Sequence, residues 1–397
     1  MTDRIYYTDP FCRTFEATVT RAFEREGRAA VLLDRTAFYP ASGGQPFDTG
    51  RLGGAEVVET IDGDEVVHVV SAPLAQGAVV RGEIDWARRF DHMQQHTGQH
   101  VLSAAFVRLF DNPTSGFHTG AEVSTIDLAR EASTRDIERA VDLANGVVWE
   151  DRAVSIRFVS PEEAGALALR KEPVRTGPLR LIDIEGIDVC PCGGTHVART
   201  GAVGLVAALG AERLRGGTRL TFICGGRALR ALRTYRDAVA GSIRFLSVLP
   251  GELPSAVERV QTELKDLQKR IKELRGRLAA HEGARLMAEA PEVAGSRVLV
   301  QRIDEADAAD LKARALAAVA VTRGVAVLLA PGPPVALVVA RSDGVALDAN
   351  ALLRQLLERF GGRGGGKADL AQGGGLSAPA EEIVAAARTL VEAALRA

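Results

Sequence analysis

His96-Thr97-Gly98-Gln99-His100, followed about ninety residues later by Cys192-Gly193-Gly194-Thr195-His196, is the pair of stretches on which the reading of this chain turns. In the first, two imidazoles four residues apart share one face of a helix. In the second, a thiol and an imidazole flank a turn containing Gly193 and Gly194. Two nitrogens from one segment, with a sulfur and a nitrogen from another, form a donor set that closes a tetrahedron around Zn²⁺. An isolated His-x₃-His pair is weak evidence. Here four of the seven His and four Cys residues fall into two matched pairs, and that makes a metal site the expectation. The residues alone leave the register open, because His92 stands one turn before His96 and Cys190 stands two residues before Cys192.

A chain of 397 residues, 46% hydrophobic and 25% charged, has the composition of a globular protein with several domains. Its start, Met1-Thr2-Asp3-Arg4-Ile5-Tyr6-Tyr7, lacks the apolar run of a signal peptide. No uncharged apolar segment reaches the roughly eighteen residues a membrane span needs. No membrane association and a cytoplasmic location are therefore expected. Four cysteines in a chain this long make no disulfide framework, and Cys12 and Cys224 read as buried thiols. A net charge of −2 gives no global attraction to nucleic acid. Locally, however, positions 213–244 hold eight Arg against a single acidic residue, Asp237. Neither a Gly-x-Ser-x-Gly elbow nor a His-Glu-x-x-His helix occurs, so those two hydrolase chemistries are unsupported.

Outward from the motif pairs, residues 1–88 hold short β segments such as Ala29–Leu33 and Glu65–Val70, predicting a small barrel or sandwich. From Ala87 to Phe110 the pattern is helical. A helix over Thr134–Asp151 and strands over Val203–Leu209 and Arg219–Cys224 then predict an α+β domain. After Pro250-Gly251-Glu252-Leu253-Pro254, the residues Val257, Val260, Leu264, Leu267, Ile271, Leu274 and Leu278 recur at spacings of three and four. That seam predicts either a helical hairpin or a coiled-coil contact in a homodimer. Beyond Pro291 an α/β unit is expected, with strands near Val298–Val300, Val325–Leu329 and Ala336–Val339. Its helices are expected over Ala306–Val321, Asp348–Phe360 and Glu381–Arg396. Between its last two helices, the Gly-rich stretch 361–375 carries Arg363 and Lys367 and reads as a phosphate-contacting loop, since glycine lets backbone N–H groups approach phosphate. The expected division is a small β-barrel domain at 1–88, an α+β zinc domain at 89–250, a helical segment at 251–290 and an α/β domain at 291–397.

The two metal motifs resemble those of the editing domain of alanyl-tRNA synthetases and of freestanding AlaX-type editing proteins. Thr36-Ala-Phe-Tyr-Pro-Ala-Ser-Gly-Gly-Gln-Pro-Phe-Asp-Thr-Gly50 is similar to the Gly-rich signature of the β domain preceding that editing domain. Gly364-Gly-Gly-Lys-Ala-Asp-Leu-Ala-Gln-Gly373 resembles the glycine-rich stretch of the C-terminal DHHA1-type domain, which in this family engages tRNA. The resemblance spans nearly the whole chain, in the family's order, and implies a long-form AlaX-type trans-editing protein. It selects His96, His100, Cys192 and His196 as ligands of one Zn²⁺ per chain, over His92 and Cys190. It implies a deacylase that removes serine, or secondarily glycine, from mischarged alanine tRNA; the alternative is a tRNA-binding module with a structural zinc. Thr97, Gln45 and His118 are the candidate catalytic or substrate-side residues. Arg363, Lys367, Arg219 and Arg227 are the candidate tRNA contacts. The possible homodimer would form through the helical segment or the C-terminal domain.

Overall fold

Alternation of buried and exposed residues from Thr14 onward closes a six-stranded antiparallel barrel, ordered Thr14–Arg25, Arg28–Leu33, Val67–Val70, Ala55–Ile61, Gly50–Leu52, Val79–Ile84. The first strand pairs on one side with Arg28–Leu33 and on the other with Val79–Ile84, so the sheet closes on itself and is no sandwich. Phe15, Ala17, Val19, Val31, Leu33, Phe38, Leu52 and Val57 fill its interior. These features come from a computed structural model that describes residues 2–167, 169–171, 178–304, 306–332 and 335–397. The chain divides into two compact units, Met1–Ser242 and Ile243–Ala397; of the four expected segments, 89–250 runs eight residues past the end of the first unit.

In the first unit the barrel leads into the helix Trp86–Phe110, whose start is capped by the Asp85 carboxylate accepting from the Arg88 N–H at 3.1 Å. Most of its middle turns are buried on every side, which explains why its sequence shows little amphipathic contrast. Met93, Val101, Leu102, Ala105 and Phe106 join the core formed with the helix Thr134–Trp149 and a four-stranded antiparallel sheet. That sheet is ordered Val206–Leu214, Gly217–Cys224, Ser124–Leu128, Thr114–Thr119. Gln95 fixes the helix to the sheet, donating to the Cys224 carbonyl at 3.1 Å and accepting from the Cys224 N–H at 2.8 Å. A three-stranded sheet, Val154–Val159, Leu179–Ile184, Asp188–Pro191, completes the unit. The strand expected at Val203–Leu209 begins only at Val206, because a 3₁₀ turn over Thr200–Val203 ends at Gly204 with φ +74°.

The barrel is tied to this helix by Arg89, which is fully buried with its partner Asp48. Its Nε lies 2.9 Å from Asp48 Oδ2, Nη1 donates to the Pro10 carbonyl at 2.8 Å, and Nη2 donates to the Ala37 carbonyl. Asp48 Oδ2 also accepts from the Tyr39 N–H at 2.7 Å. Removing one member of such a pair leaves a buried charge uncompensated and costs about 3 to 5 kcal/mol.

In the second unit, Leu253–Glu289 is one helix, and its seam from Val257 to Leu278 is about half exposed, at 42% for Val257 and 57% for Leu267. A six-stranded sheet follows, ordered Glu292–Val293, Ser296–Arg302, Gly324–Ala330, Val335–Arg341, Leu370–Leu376, Arg363–Gly366, with helices Ala308–Val321, Ala349–Phe360 and Ala380–Arg396. The expectation of a loop over 361–375 is corrected here: Arg363–Gly366 and Leu370–Leu376 pair as an antiparallel hairpin at the sheet edge. Glycine serves close packing of backbones, since a Cβ at Gly366 would meet the Leu370 carbonyl oxygen at 2.2 Å. Arg363 and Lys367 stand exposed on this hairpin. Among the described residues, no helix is long and apolar enough to cross a membrane.

Candidate metal centre

The helix Trp86–Phe110 presents His96 and His100 one turn apart, and the loop leaving the strand Asp188–Pro191 brings Cys192 and His196 to them. One ligand atom from each of these four residues lies within 4.8 Å of every other. Cys192 Sγ is 3.4 Å from His96 Nε2 and 3.4 Å from His196 Nε2. A tetrahedral zinc with ordinary bond lengths puts its nitrogen and sulfur ligands about 3.5 Å apart, so the spacing fits. His92 lies outside the group, buried, with Nδ1 unpartnered among the described residues.

What most strongly marks the group as a metal site is the way each ring is held from behind. His96 Nδ1 lies 2.8 Å from Gln45 Oε1, His100 Nδ1 2.9 Å from Asp188 Oδ2, and His196 Nδ1 3.1 Å from Thr97 Oγ1. Partners at all three Nδ1 atoms leave Nε2 as the nitrogen open to a metal, the arrangement by which proteins orient imidazoles toward one. Gln45 is itself fixed: Oε1 also accepts from the Thr195 N–H at 3.0 Å, and Nε2 donates to Thr195 Oγ1 at 2.8 Å. Thr97 Oγ1 accepts from the Val197 N–H at 3.2 Å, tying the helix to the loop just past His196.

Electrostatics separate the two cysteines. Burial pushes the Cys190 thiol up to about 12. Burial opposes ionisation of Cys192 too, but the charges of His96 and His196 and hydrogen bonds from His100 and His196 hold it well below its ordinary value. Of the two cysteines, Cys192 is therefore the one whose surroundings favour the thiolate. Asp188 would be raised by burial, yet His100 and Arg170 keep it below the ordinary carboxylate value. Arg170 Nε donates to Asp188 Oδ1 at 2.6 Å and Nη2 to Oδ2 at 3.0 Å. His100, Asp188 and Cys190 also cluster, but a carboxylate already engaged by His100 and Arg170 beside a protonated thiol is an orienting group, with no second ion site in it.

Three of the four candidate ligands, His96, His100 and Cys192, border a cleft of about 340 Å³ whose walls include Tyr39, Gln99, Thr114, Phe117 and Arg170. Thr97 and Gln45, expected on the substrate side, are not among its lining residues and lie behind the imidazoles, hydrogen-bonded to His196 and His96. His118 is also absent from the lining; it is exposed on the strand Thr114–Thr119, opposite Thr125. Arg219 is held by Asp127 at 2.7 and 2.8 Å and Arg227, buried, by Asp91 at 2.7 Å and the Gly120 carbonyl. Arg227 is thereby corrected to an internal brace, because its fork is consumed inside the unit. Sequence reasoning missed Asp188 and Arg170, which stand 88 and 70 positions from His100. Asp188 carried one usable signal, its place four residues before Cys192.

Two domain families match the chain: the Threonyl and Alanyl tRNA synthetase second additional domain over residues 179–220, and the DHHA1 domain over residues 295–396. Fold and centre thus define a protein of the kind built from synthetase-associated domains. The chain belongs to the family of the alanyl-tRNA editing protein AlaX-L, being 33% identical to the Pyrococcus horikoshii protein of that name over 398 residues, 96% of each chain. It is also 35% identical over 394 residues to the alanine--tRNA ligase of Pyrococcus abyssi, covering 94% of this chain but only 42% of the ligase. Among solved structures, the C-Ala domain of Aquifex aeolicus alanyl-tRNA synthetase covers 26% of this chain and 98% of that one at 23% identity, with a TM-score of 0.25. So low a score defines no shared geometry.

Proposed function

We propose that this protein is an alanyl-tRNA editing hydrolase that cleaves the ester joining serine, and secondarily glycine, to the 3′ adenosine of alanine tRNA, with one Zn²⁺ per chain. The observation that carries the reading is the convergence of His96, His100, Cys192 and His196, each ring held at Nδ1, with His96, His100 and Cys192 on the wall of a cleft. Membership in the AlaX-L family agrees with it. Zinc at this position supplies a positive charge able to polarise an ester carbonyl or lower the pKa of water. The chain's own residues do the rest. Gln45, Thr97 and Asp188 fix the imidazoles, and Arg170 holds Asp188 in its ionised form.

Editing answers a physical limit, because a synthetic pocket built for alanine excludes smaller glycine or one added hydroxyl by only about 1 to 3 kcal/mol. A second site favours serine if its polar groups are left unpaired by alanine. Gln99 and Thr114 on the cleft wall, linked through Ser103 at 2.8 and 2.7 Å, are suited to that choice.

The test is a deacylation panel with alanine tRNA carrying serine, glycine or alanine. Release of serine with alanine spared is expected; equal hydrolysis of all three rejects the selectivity. One observation favours a second reading, a tRNA-binding module with a purely structural zinc: four protein ligands already complete a tetrahedral shell. Cys192→Ala separates the two. Loss of deacylation with fold and tRNA affinity intact supports the hydrolase, whereas a wild-type protein that binds tRNA and releases nothing supports the structural zinc.

A further inference from the structure

A second cavity of about 440 Å³ shares Tyr39, Cys192 and Gly193 with the ligand-bearing cleft. Its wall holds a guanidinium in an unusual state. Arg180 Nε donates to the Tyr7 carbonyl at 2.9 Å and Nη1 to the Cys192 carbonyl at 2.5 Å, while buried Nη2 has no partner among the described residues. Both partners are neutral carbonyls. Elsewhere in this unit the inward-facing arginines Arg89, Arg170 and Arg227 each meet a carboxylate. A largely buried cation that meets no carboxylate among the described residues is costly, and its retention points to an anion that arrives with a ligand.

Two further features say which anion. Lys171, exposed at the same wall, adds a second cation. Phe158, on the strand Val154–Val159, is 54% exposed at this cavity and offers an uncovered aromatic face. The acid at the rim, Asp62, is already paired with Arg4 at 2.8 Å and so does not repel an anion unopposed. Paired cations beside an open aromatic ring fit a nucleotide of single-stranded nucleic acid, phosphate on the charges and base on the ring.

We infer that this cavity docks a nucleotide of the substrate's single-stranded acceptor end, its phosphate on Arg180 and Lys171 and its base stacked on Phe158. The inference rests on the RNA substrate proposed above, and it places that chain end along the wall formed by Cys192 and Gly193, beside the cleft.

Adenosine 5′-monophosphate is the probe, titrated calorimetrically into the zinc-loaded full-length protein, with adenosine as the phosphate-free control. AMP is expected to bind about tenfold more tightly than adenosine, and Lys171→Ala and Phe158→Ala each to weaken AMP about tenfold. Both residues lie off the ligand set, so zinc content stays at the wild-type level. Arg180→Lys tests the guanidinium itself, with zinc content measured alongside because Arg180 also holds the Cys192 carbonyl. In deacylation, Phe158→Ala raises KM about tenfold and leaves kcat unchanged. AMP binding that is absent, or indifferent to all three substitutions, overturns the inference even where serine is released normally. AMP binding that depends on these residues in a protein releasing no serine keeps the docking site and discards the hydrolase.

Discussion

A Cβ atom at position 194 would lie 2.1 Å from Cε1 and 2.3 Å from Nδ1 of His96, so Gly194 and His96 compete for a single volume that only a side chain of hydrogen leaves open. Gly194→Ala must displace the imidazole or the loop, and either movement breaks the His96 contact with Gln45. Zinc affinity is expected to fall by about 10- to 100-fold or more, the range seen when ligand-orienting contacts are lost. Competition against a chromogenic chelator measures it, with circular dichroism to check the fold. Unchanged affinity would mean that the loop 192–196 moves freely past the helix.

His68, buried in the barrel and paired through Nε2 with Thr36 Oγ1 at 2.8 Å, is pushed by burial from its ordinary 6.5 down to about 4. The unfolded chain takes up a proton below about 6.5 that the folded protein refuses, so stability present above that pH is lost as pH falls toward 4. The shift is worth roughly 3 kcal/mol. His68→Gln removes this contribution, and urea midpoints at about pH 7 and about pH 4.5 should differ less in the variant than in the wild type. Identical acid sensitivity in both proteins would acquit His68.

Arg363 and Lys367 on the edge hairpin are exposed and free to meet phosphates. If they do, replacing each with a neutral residue weakens binding of alanine tRNA and reduces the slope of log affinity against log salt by about 1. Filter binding across a salt series reads both quantities. An unchanged slope in the double variant would leave the hairpin a structural edge only.

Half-exposed apolar residues from Val257 to Leu278 give the helix Leu253–Glu289 a seam suited to a second helix. If a second copy of the chain supplies it, Leu267→Lys with Ile271→Lys converts a dimer to a monomer in sedimentation. A wild-type protein that sediments as a monomer rules that out.

The barrel strands and the long helix were legible because alternation and helical spacing are properties of neighbouring residues. The helix over Trp86–Phe110 begins one residue from its expected start. The two motif pairs that the structure brings together were legible for the same reason, each being complete within five residues. Their orienting partners were not, since Gln45 meets Thr195 across 150 positions and nothing local marks either residue for the other. Arg227 was misread because its partner Asp91 stands 136 positions away, and a run of arginines looks alike whether or not its carboxylates lie elsewhere. The glycines of 361–375 were read as a loop because pairing at a sheet edge is set by the neighbouring strand Val335–Arg341, which glycine content does not reveal.

The Arg89–Asp48 contact has a consequence for how this module can be moved between proteins. Severing the chain at the apparent junction near residue 88 would remove the carboxylate and both carbonyl partners of Arg89 and open that face of the helix to water. The helix bearing two of the four candidate ligands therefore loses with the barrel both the partners of Arg89 and, in Gln45, the group that holds the His96 ring.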